Sequence, residues 1–290
     1  MTFVGIDVGG TRVKGALVSA AGDVIAAHSV ATPAHTAALT TAVTDLVAGL
    51  RDERTVAVGV VSPGVVADGM VVFSANLPWR DEPVRDRVAA ASGLPTALGH
   101  DVAAAASAEG REHGDPDLLF VALGTGIAAA HVRSGTVSPG ATGRAGELGH
   151  QPVYPDGDAC PCGQRGCLER YASAAAIARR YRERTALTRD TAEIARCVLH
   201  DDAAAAVWST ATDALAVALA TCTLVLDPGV IVLGGGLAGA GATLLEPVRA
   251  GLAGRLAWRP APLVRAAVLG ADAGVLGAAG LALRLVDGRR

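Results

Sequence analysis

The clearest chemistry in this 290-residue chain is carried by four residues, His150, Cys160, Cys162 and Cys167. One imidazole and three thiolates fall in an eighteen-residue span, with Pro161, Gly163 and Gly166 to turn the chain. Such a set suits a tetrahedral structural Zn²⁺ and leaves no protein ligand position open. Two carboxylates flank it: Glu147 lies three residues before His150, and Glu169 two after Cys167. If residues 146–150 make a helical turn, Glu147 and His150 share a face. A histidine that binds metal through one ring nitrogen can donate a hydrogen bond from the other. Acids and an imidazole so grouped suit the hydroxyls of a sugar; the alternative is that Glu147 and Glu169 are solvated surface acids. Cys197 and Cys222 lie on helical patterns and read as core residues.

A second group of signals sits at strand ends. Asp7-Val8-Gly9-Gly10-Thr11 places a carboxylate beside a turn without side-chain bulk, where backbone N–H groups can approach a polyphosphate and Thr11 adds a hydroxyl. Asp7 would repel phosphate unless a cation lay between them, which suggests a Mg²⁺ role. Gly124-Thr125-Gly126 and Gly234-Gly235-Gly236 also follow apolar strands, so three glycine turns are available to close on one nucleotide. No lysine follows a GxxxxG spacing, so a P-loop enzyme is excluded. His100-Asp101 lies between a strand end and a helix start. Asp101 is there either as a helix N-cap or as a general base whose ionised form the helix terminus favours.

These residues need an α/β scaffold. Hydrophobic residues make up 51% of the chain and aromatics only 3%, so Ala, Val and Leu must build the core. Strand patterns are expected at Phe3–Asp7, Val13–Val18, Val24–Val30, Thr55–Val61, Thr96–Gly99, Leu118–Leu123, on through Val132, and Val230–Leu233. Helices are expected from Thr32-Pro33 to Leu50, then at Glu82–Ala91, Val102–His113, Glu169–Arg184, Thr191–Leu199, Asp202–Leu226, Ala242–Leu256 and Ala273–Val286. The strand, Gly/Thr turn, strand unit occurs twice, with Thr11 and Thr125 114 residues apart. That duplication points to two related α/β lobes with a cleft between them. The expected domains are 1–115, small and N-terminal, and 116–272, larger and carrying the metal loop. A C-terminal helix at about 273–290 packs back on the first.

Net charge −3 and a pI near 6.2 leave no electrostatic footprint for nucleic acid. Mean hydropathy is +0.38, yet the uncharged runs Ala214–Leu226 and Pro228–Leu245 are respectively short and glycine-broken against the about 20 residues a membrane span needs. No membrane partner is expected. The N-terminus enters a strand pattern directly, so a cytoplasmic location is expected, where five cysteines do not form structural disulfides.

Taken together, the chain resembles the ROK family of bacterial sugar kinases, repressors and related proteins. The matching segments are DVGGTRVKG at 7–15, SANLPW at 74–79, HD at 100–101, LGTG at 123–126, GATGRAGELGH at 140–150, CPCGQRGCLE at 160–169 and DPGVIVLGGG at 227–236. The resemblance implies a two-lobed actin-like (ribonuclease-H-like) ATPase fold, ATP with Mg²⁺ in the interlobe cleft, and usually a homodimer. It implies that Asp101 is the base that takes a proton from a sugar hydroxyl, typically O6 of glucose or an N-acetylhexosamine. Glu147, His150 and Glu169 would bind sugar hydroxyls, with His100, Asn76 and the Gly64 backbone beside them. Gly10, Thr11, Arg12, Thr125 and Gly126 would line the phosphates, with Asp7 toward the cation, and Gly235-Gly236 would meet the adenosine. His100 stands where the family usually has Asn, and an imidazole reaches a hydroxyl differently from an amide. Ile127-Ala128-Ala129-Ala130 replaces a glycine run, so methyl groups are expected to narrow the approach to the nucleotide. Family repressors add an N-terminal helix-turn-helix domain, whereas here a strand pattern begins at residue 3. The alternative to a kinase is a non-catalytic sugar sensor.

Overall fold

The computed structural model describes residues 1–288. In chain order the elements are β1 (Thr2–Val8), β2 (Arg12–Ser19), β3 (Val24–Ala31), α1 (Thr36–Leu50), β4 (Thr55–Ser62), β5 (Val65–Ala67), β6 (Met70–Phe73) and β7 (Arg80–Glu82). Next come α2 (Val84–Ser92), β8 (Thr96–His100), α3 (Asp101–His113), β9 (Leu118–Leu123), β10 (Ile127–Arg133) and β11 (Thr136–Val137). Then follow α4 (Glu169–Ala172), α5 (Ala174–Thr185), α6 (Thr191–Cys197), α7 (Asp202–Leu226), β12 (Val230–Gly234), α8 (Ala242–Ala253), β13 (Leu263–Ala266) and α9 (Ala273–Val286). Residues 289 and 290, the end of the expected C-terminal segment, lie outside the described residues.

The chain forms two compact units. Unit 1 holds residues 1–113, 139–144 and the C-terminal segment from Ala271; unit 2 holds 114–138 and 145–270. Each contains a five-stranded sheet of one topology. In unit 1 the order is β3-β2-β1-β4-β8, three antiparallel strands continued by two parallel ones. In unit 2 it is β11-β10-β9-β12-β13, with the same sense at every step. The duplication legible in the two Gly/Thr turns is therefore a duplication of whole sheets.

Strand alternation decides which residues reach the site. In unit 1, Val4, Ile6 and Val8 of β1 face the core shared with Leu39, Val43 and Val47 of α1 and Val84 and Val88 of α2. Phe3 points to the opposite face, against Val275, Ala279 and Ala282 of α9, and Asp7 shares its parity. Small residues let α9 lie close on the sheet. A Cβ at Gly59 of β4 would overlap the Ala278 carbonyl oxygen, so only glycine fits there. In unit 2, Leu119, Val121 and Leu123 of β9 and Ile231 and Leu233 of β12 pack under Ile177, Tyr181, Trp208, Leu215, Leu219 and Val248. Each such side chain, fully buried, contributes about 1.5–3 kcal/mol.

Several boundaries differ from expectation. The first helix begins at Thr36, not Thr32-Pro33, because Thr32 is tied to the first glycine turn: its N–H donates to the Thr11 carbonyl and its hydroxyl to the Gly9 carbonyl at 2.6 Å. Glu82 belongs to β7, paired with Val71, and α2 starts after Pro83, ending as expected at a left-handed Gly93. The single helix expected over 169–184 is broken at Ser173. That residue is extended, donates its hydroxyl to the Glu169 carbonyl, and caps α5 by accepting from the Ala176 N–H. The small sheet β5-β6-β7 and strands β11 and β13 were not expected: each is only two to four residues long. The uncharged run Ala214–Leu226 is the latter half of a 25-residue helix long and apolar enough to cross a membrane. Here α7 serves as a core helix of unit 2, burying Val207, Trp208, Leu215 and Leu219.

Candidate active site

The unit 1 residues gather at the C-terminal ends of the parallel strands. Asp7, one residue from the end of β1, keeps only a small exposed face; burial and then the neighbouring Asp101 carboxylate raise its pKa to about 6, with Lys14 opposing. Lys14 donates Nζ to the Ala271 carbonyl at 3.0 Å, just before α9. Gly274, second residue of α9, abuts the Asp7 carboxylate, and any side chain there would strike it. The carboxylate thus sits at a helix N-terminus. Asp101 opens α3 directly after β8 delivers His100. Its Oδ1 accepts the Val102 N–H at 2.7 Å and lies 3.2 Å from His100 Nδ1. An N-cap side chain would accept from two or three residues ahead; among the described residues Asp101 meets the adjacent His100 and Val102 instead, and its side chain is 29% exposed.

The first glycine turn is closed by the Gly9 N–H donating to the Arg12 carbonyl at 3.0 Å, leaving Gly10 and Thr11 exposed. Gly10 lies against Asn76, and Gly64, at φ 101°, lies against Phe73 and Ser74, so these three positions are neighbours in one loop cluster. The Arg12 guanidinium is engaged by Ser29, donating to its hydroxyl at 2.6 Å and its carbonyl at 3.1 Å.

In unit 2 the second glycine turn joins β9 to β10. Its Gly124 N–H donates to the Gly126 carbonyl, and Thr125 and Gly126 are exposed. Gly235, at φ 82°, packs on the Leu123 backbone, so the third glycine turn adjoins the second. Glu169 opens α4 and its Oε2 accepts the Ile127 N–H at 2.9 Å. The approach works because Gly126 and Gly149 carry no Cβ beside that oxygen. Of the Ile127–Ala130 run, Ile127, Ala129 and Ala130 are buried and only Ala128 keeps partial exposure, so one methyl, not three, is placed to narrow an approach.

Leu148–His150 form a single 3₁₀ turn, which brings Glu147 Oε2 to 4.0 Å from His150 Nε2. The other ring nitrogen, Nδ1, is buried without a hydrogen-bond partner among the described residues. The ligand atoms of His150, Cys160, Cys162 and Cys167 all lie within 4.8 Å of one another. Cys162 and Cys167 Sγ are 3.7 Å apart, close to the about 3.8 Å expected for two thiolates on one tetrahedral Zn²⁺. An orphaned imidazole nitrogen beside three converging sulfurs fits that ion, and Nδ1 is the atom it would take. Glu147 itself is exposed, and Cys197 and Cys222 stand apart on α6 and α7.

Two features escaped the sequence reading. Lys14, the single lysine of the chain, lies outside the Asp7–Thr11 turn motif; alternation from Arg12 along β2 is the signal that could have aimed it toward Asp7. The bond from Glu169 to Ile127 spans 42 residues and leaves no local trace.

The model of the ROK family matches residues 3–285. The glucokinase of Streptomyces coelicolor is 33% identical over 96% of this chain and 96% of its own length. Among solved structures, the ROK family glucokinase of Streptomyces griseus in complex with glucose and AMPPNP matches at a TM-score of 0.84 and 32% identity, covering 98% of this chain and all of that one. The ROK hexokinase of Thermus thermophilus matches at 0.84 and 34%, covering 99% and 100%. The α/β fold is accordingly the actin-like ATPase fold of these kinases, and the chain belongs to the ROK family.

Proposed function

We propose that this protein is an ATP-dependent hexose kinase that transfers the γ-phosphoryl group to a sugar hydroxyl, O6 of glucose or of an N-acetylhexosamine. The observation that carries the reading is the Asp101 carboxylate. It is fixed at a strand-to-helix junction by the Val102 N–H, partly exposed, and close enough to Asp7 to disturb its titration. The full-length similarity to glucokinases supports the same reading.

In this mechanism Asp101 accepts the hydroxyl proton as the sugar oxygen bonds to the γ-phosphorus and the bond to the β-phosphate oxygen breaks, releasing ADP. Such transfer depends on positioning and charge more than on covalent chemistry. His100, Asn76, the Gly64 backbone, Glu147, His150 Nε2 and Glu169 hold the sugar hydroxyls. Gly10, Thr11, Arg12, Thr125 and Gly126 supply phosphate contacts, and Gly235-Gly236 the nucleoside contacts. Mg²⁺ would neutralise charge on the phosphates, and the proximity of two carboxylates at Asp7 and Asp101 fits a divalent cation, with Asp7 toward it. Zn²⁺ would be structural, held by His150, Cys160, Cys162 and Cys167, and would fix the ring whose Nε2 meets the sugar. The reading includes a cytoplasmic homodimer and two domains, 1–115 with α9 and 116–272.

Purified protein with ATP, Mg²⁺ and a panel of hexoses should release ADP with one or two of them. A silent panel from zinc-loaded protein would overturn the assignment. A second reading, a sugar sensor without turnover, is favoured by the Ala128 methyl and by the engagement of Arg12 with Ser29. Calorimetry separates the two, because tight ATP binding removes the sensor.

A further inference from the structure

A cavity of about 520 Å³ on unit 2 is formed by residues with no role in the proposed reaction. Arg170 of α4, Arg179, Arg180, Glu183 and Arg184 of α5, and Asp158 of the metal loop line it. Four cations thus face two acids. Asp158 Oδ2 is shared between Arg180 at 2.8 Å and Arg179 at 3.3 Å, and Glu183 takes the other arm of Arg179 at 2.8 Å. Among the described residues no ion pair reaches Arg170 or Arg184. The Nε atoms of Arg170, Arg179 and Arg180 are buried with no hydrogen-bond partner among the described residues.

Guanidinium groups do not shed their charge by deprotonating, and Arg180 and Arg184, four apart on one helix, repel each other. The cluster is nonetheless held in place. The Arg180 guanidinium lies 4.9 Å over the Tyr171 ring, and Arg179 donates to the Arg170 carbonyl at 3.0 Å. Two uncompensated positive charges, on Arg170 and Arg184, beside these anchored arginines complement a dianion, and arginine forks match phosphate oxygens two at a time. The volume falls in the range of small-molecule sites, about 300–1,000 Å³, so a phosphate fits either free or carrying a small organic group.

We propose that this cavity binds a phosphate dianion, free or as the phosphate end of a small ester, with Arg170 and Arg184 as its unpaired ligands. The site touches the rest of unit 2 at two sensitive points. Arg170 follows Glu169 directly, and Asp158 precedes Cys160 by two residues, so an occupant bears on both the carboxylate that holds the second glycine turn and the metal loop.

The test is isothermal titration of the zinc-loaded full chain with inorganic phosphate and with glucose 6-phosphate, without nucleotide. Inorganic phosphate should bind at one site per chain. Arg184→Gln, on an exposed position, and the double variant Arg170→Gln/Arg184→Gln should weaken it tenfold or more, while Asp101→Asn binds as the parent does. Thermal melting and zinc content confirm that each variant is folded. Competition by glucose 6-phosphate at higher affinity, weakened in parallel by Arg184→Gln, identifies an ester as the ligand; competition that is absent or unaffected by Arg184→Gln identifies orthophosphate. Equal phosphate affinity in the parent and both arginine variants overturns the proposal, as does absence of phosphate binding or its loss in Asp101→Asn. These heats do not depend on turnover, so an inactive sugar panel would leave them unchanged.

Discussion

Glu169 Oε2 accepts the backbone N–H of Ile127 at 2.9 Å, joining the first residue of α4 to the first residue of β10. One carboxylate therefore links the segment leaving the metal loop to the turn proposed to meet the phosphates. Two glycines, Gly126 and Gly149, clear the space it occupies.

The two roles of Glu169 can be separated. Glu169→Ala strands the Ile127 N–H and should cost about 1–3 kcal/mol of stability, read as a lower denaturation midpoint. Glu169→Gln retains an acceptor, so its midpoint should stay within about 1 kcal/mol of the parent while KM for the sugar rises. A parental sugar KM in Glu169→Gln would confine this residue to its structural bond.

Asp101→Asn keeps an acceptor for the Val102 N–H but no base. We expect kcat to fall by about 10²–10⁴-fold, with sugar affinity by calorimetry within about tenfold of the parent. His100→Asn replaces the imidazole whose Nδ1 lies 3.2 Å from Asp101 Oδ1, and should change the ranking of hexoses by kcat/KM more than it changes kcat on the best one. An unaltered ranking would remove His100 from sugar selection.

Much of this site was legible from residue types because its chemistry is local. The metal set is contiguous, and the glycine turns and Asp101 each follow an apolar strand that announces where the strand ends. What escaped was set by pairing across the fold. Pro33 fell outside the first helix because Thr32 bonds back to Gly9 and Thr11. Ser173 interrupts a run of good helix formers because its hydroxyl caps α5. The alanines after the second glycine turn looked like an obstacle in one dimension, and only the packing on the folded sheet shows that two of their methyls are buried. The arginine cavity draws on residues 158–184, whose convergence depends on the break at Ser173.

The pH dependence of stability should carry a signature of Asp7. Its folded pKa of about 6 lies above the ordinary aspartate value of 3.8, burial being the main cause and Asp101 the next. Between those values the folded chain holds more protons at this residue than the unfolded one, so this contribution falls as pH rises from about 4 and is constant above about 6. Asp7→Asn should flatten that slope and stabilise the protein above pH 6 by no more than about 3 kcal/mol. Urea midpoints from pH 4 to 8 measure it. Mg²⁺ should narrow the gap by favouring the ionised pair, and a parallel slope in parent and variant would refute the placement of Asp7 beside Asp101.

Removing the metal should loosen a segment without unfolding the unit that carries it. Burial pushes the Cys167 thiol up to about 12, so without an ion it stays neutral and the His150 Nδ1 stays orphaned. Metal binding supplies on the order of 10 kcal/mol in small domains that depend on zinc to fold, whereas unit 2 has an extensive core under α5, α7 and α8 that does not include the metal loop's tip. Cys167→Ser should therefore lose the one zinc per chain expected from elemental analysis and still melt cooperatively at a lower temperature. Hydrogen exchange should accelerate at the amides of Val153, Cys160 and Leu168, whose bonds to Gly166, Gln164 and Gln151 close the loop. Because His150 would then present Nε2 from a mobile ring, sugar KM should rise more than kcat falls. Full zinc content in Cys167→Ser, or unchanged exchange at those three amides, would rule out the tetrahedral set.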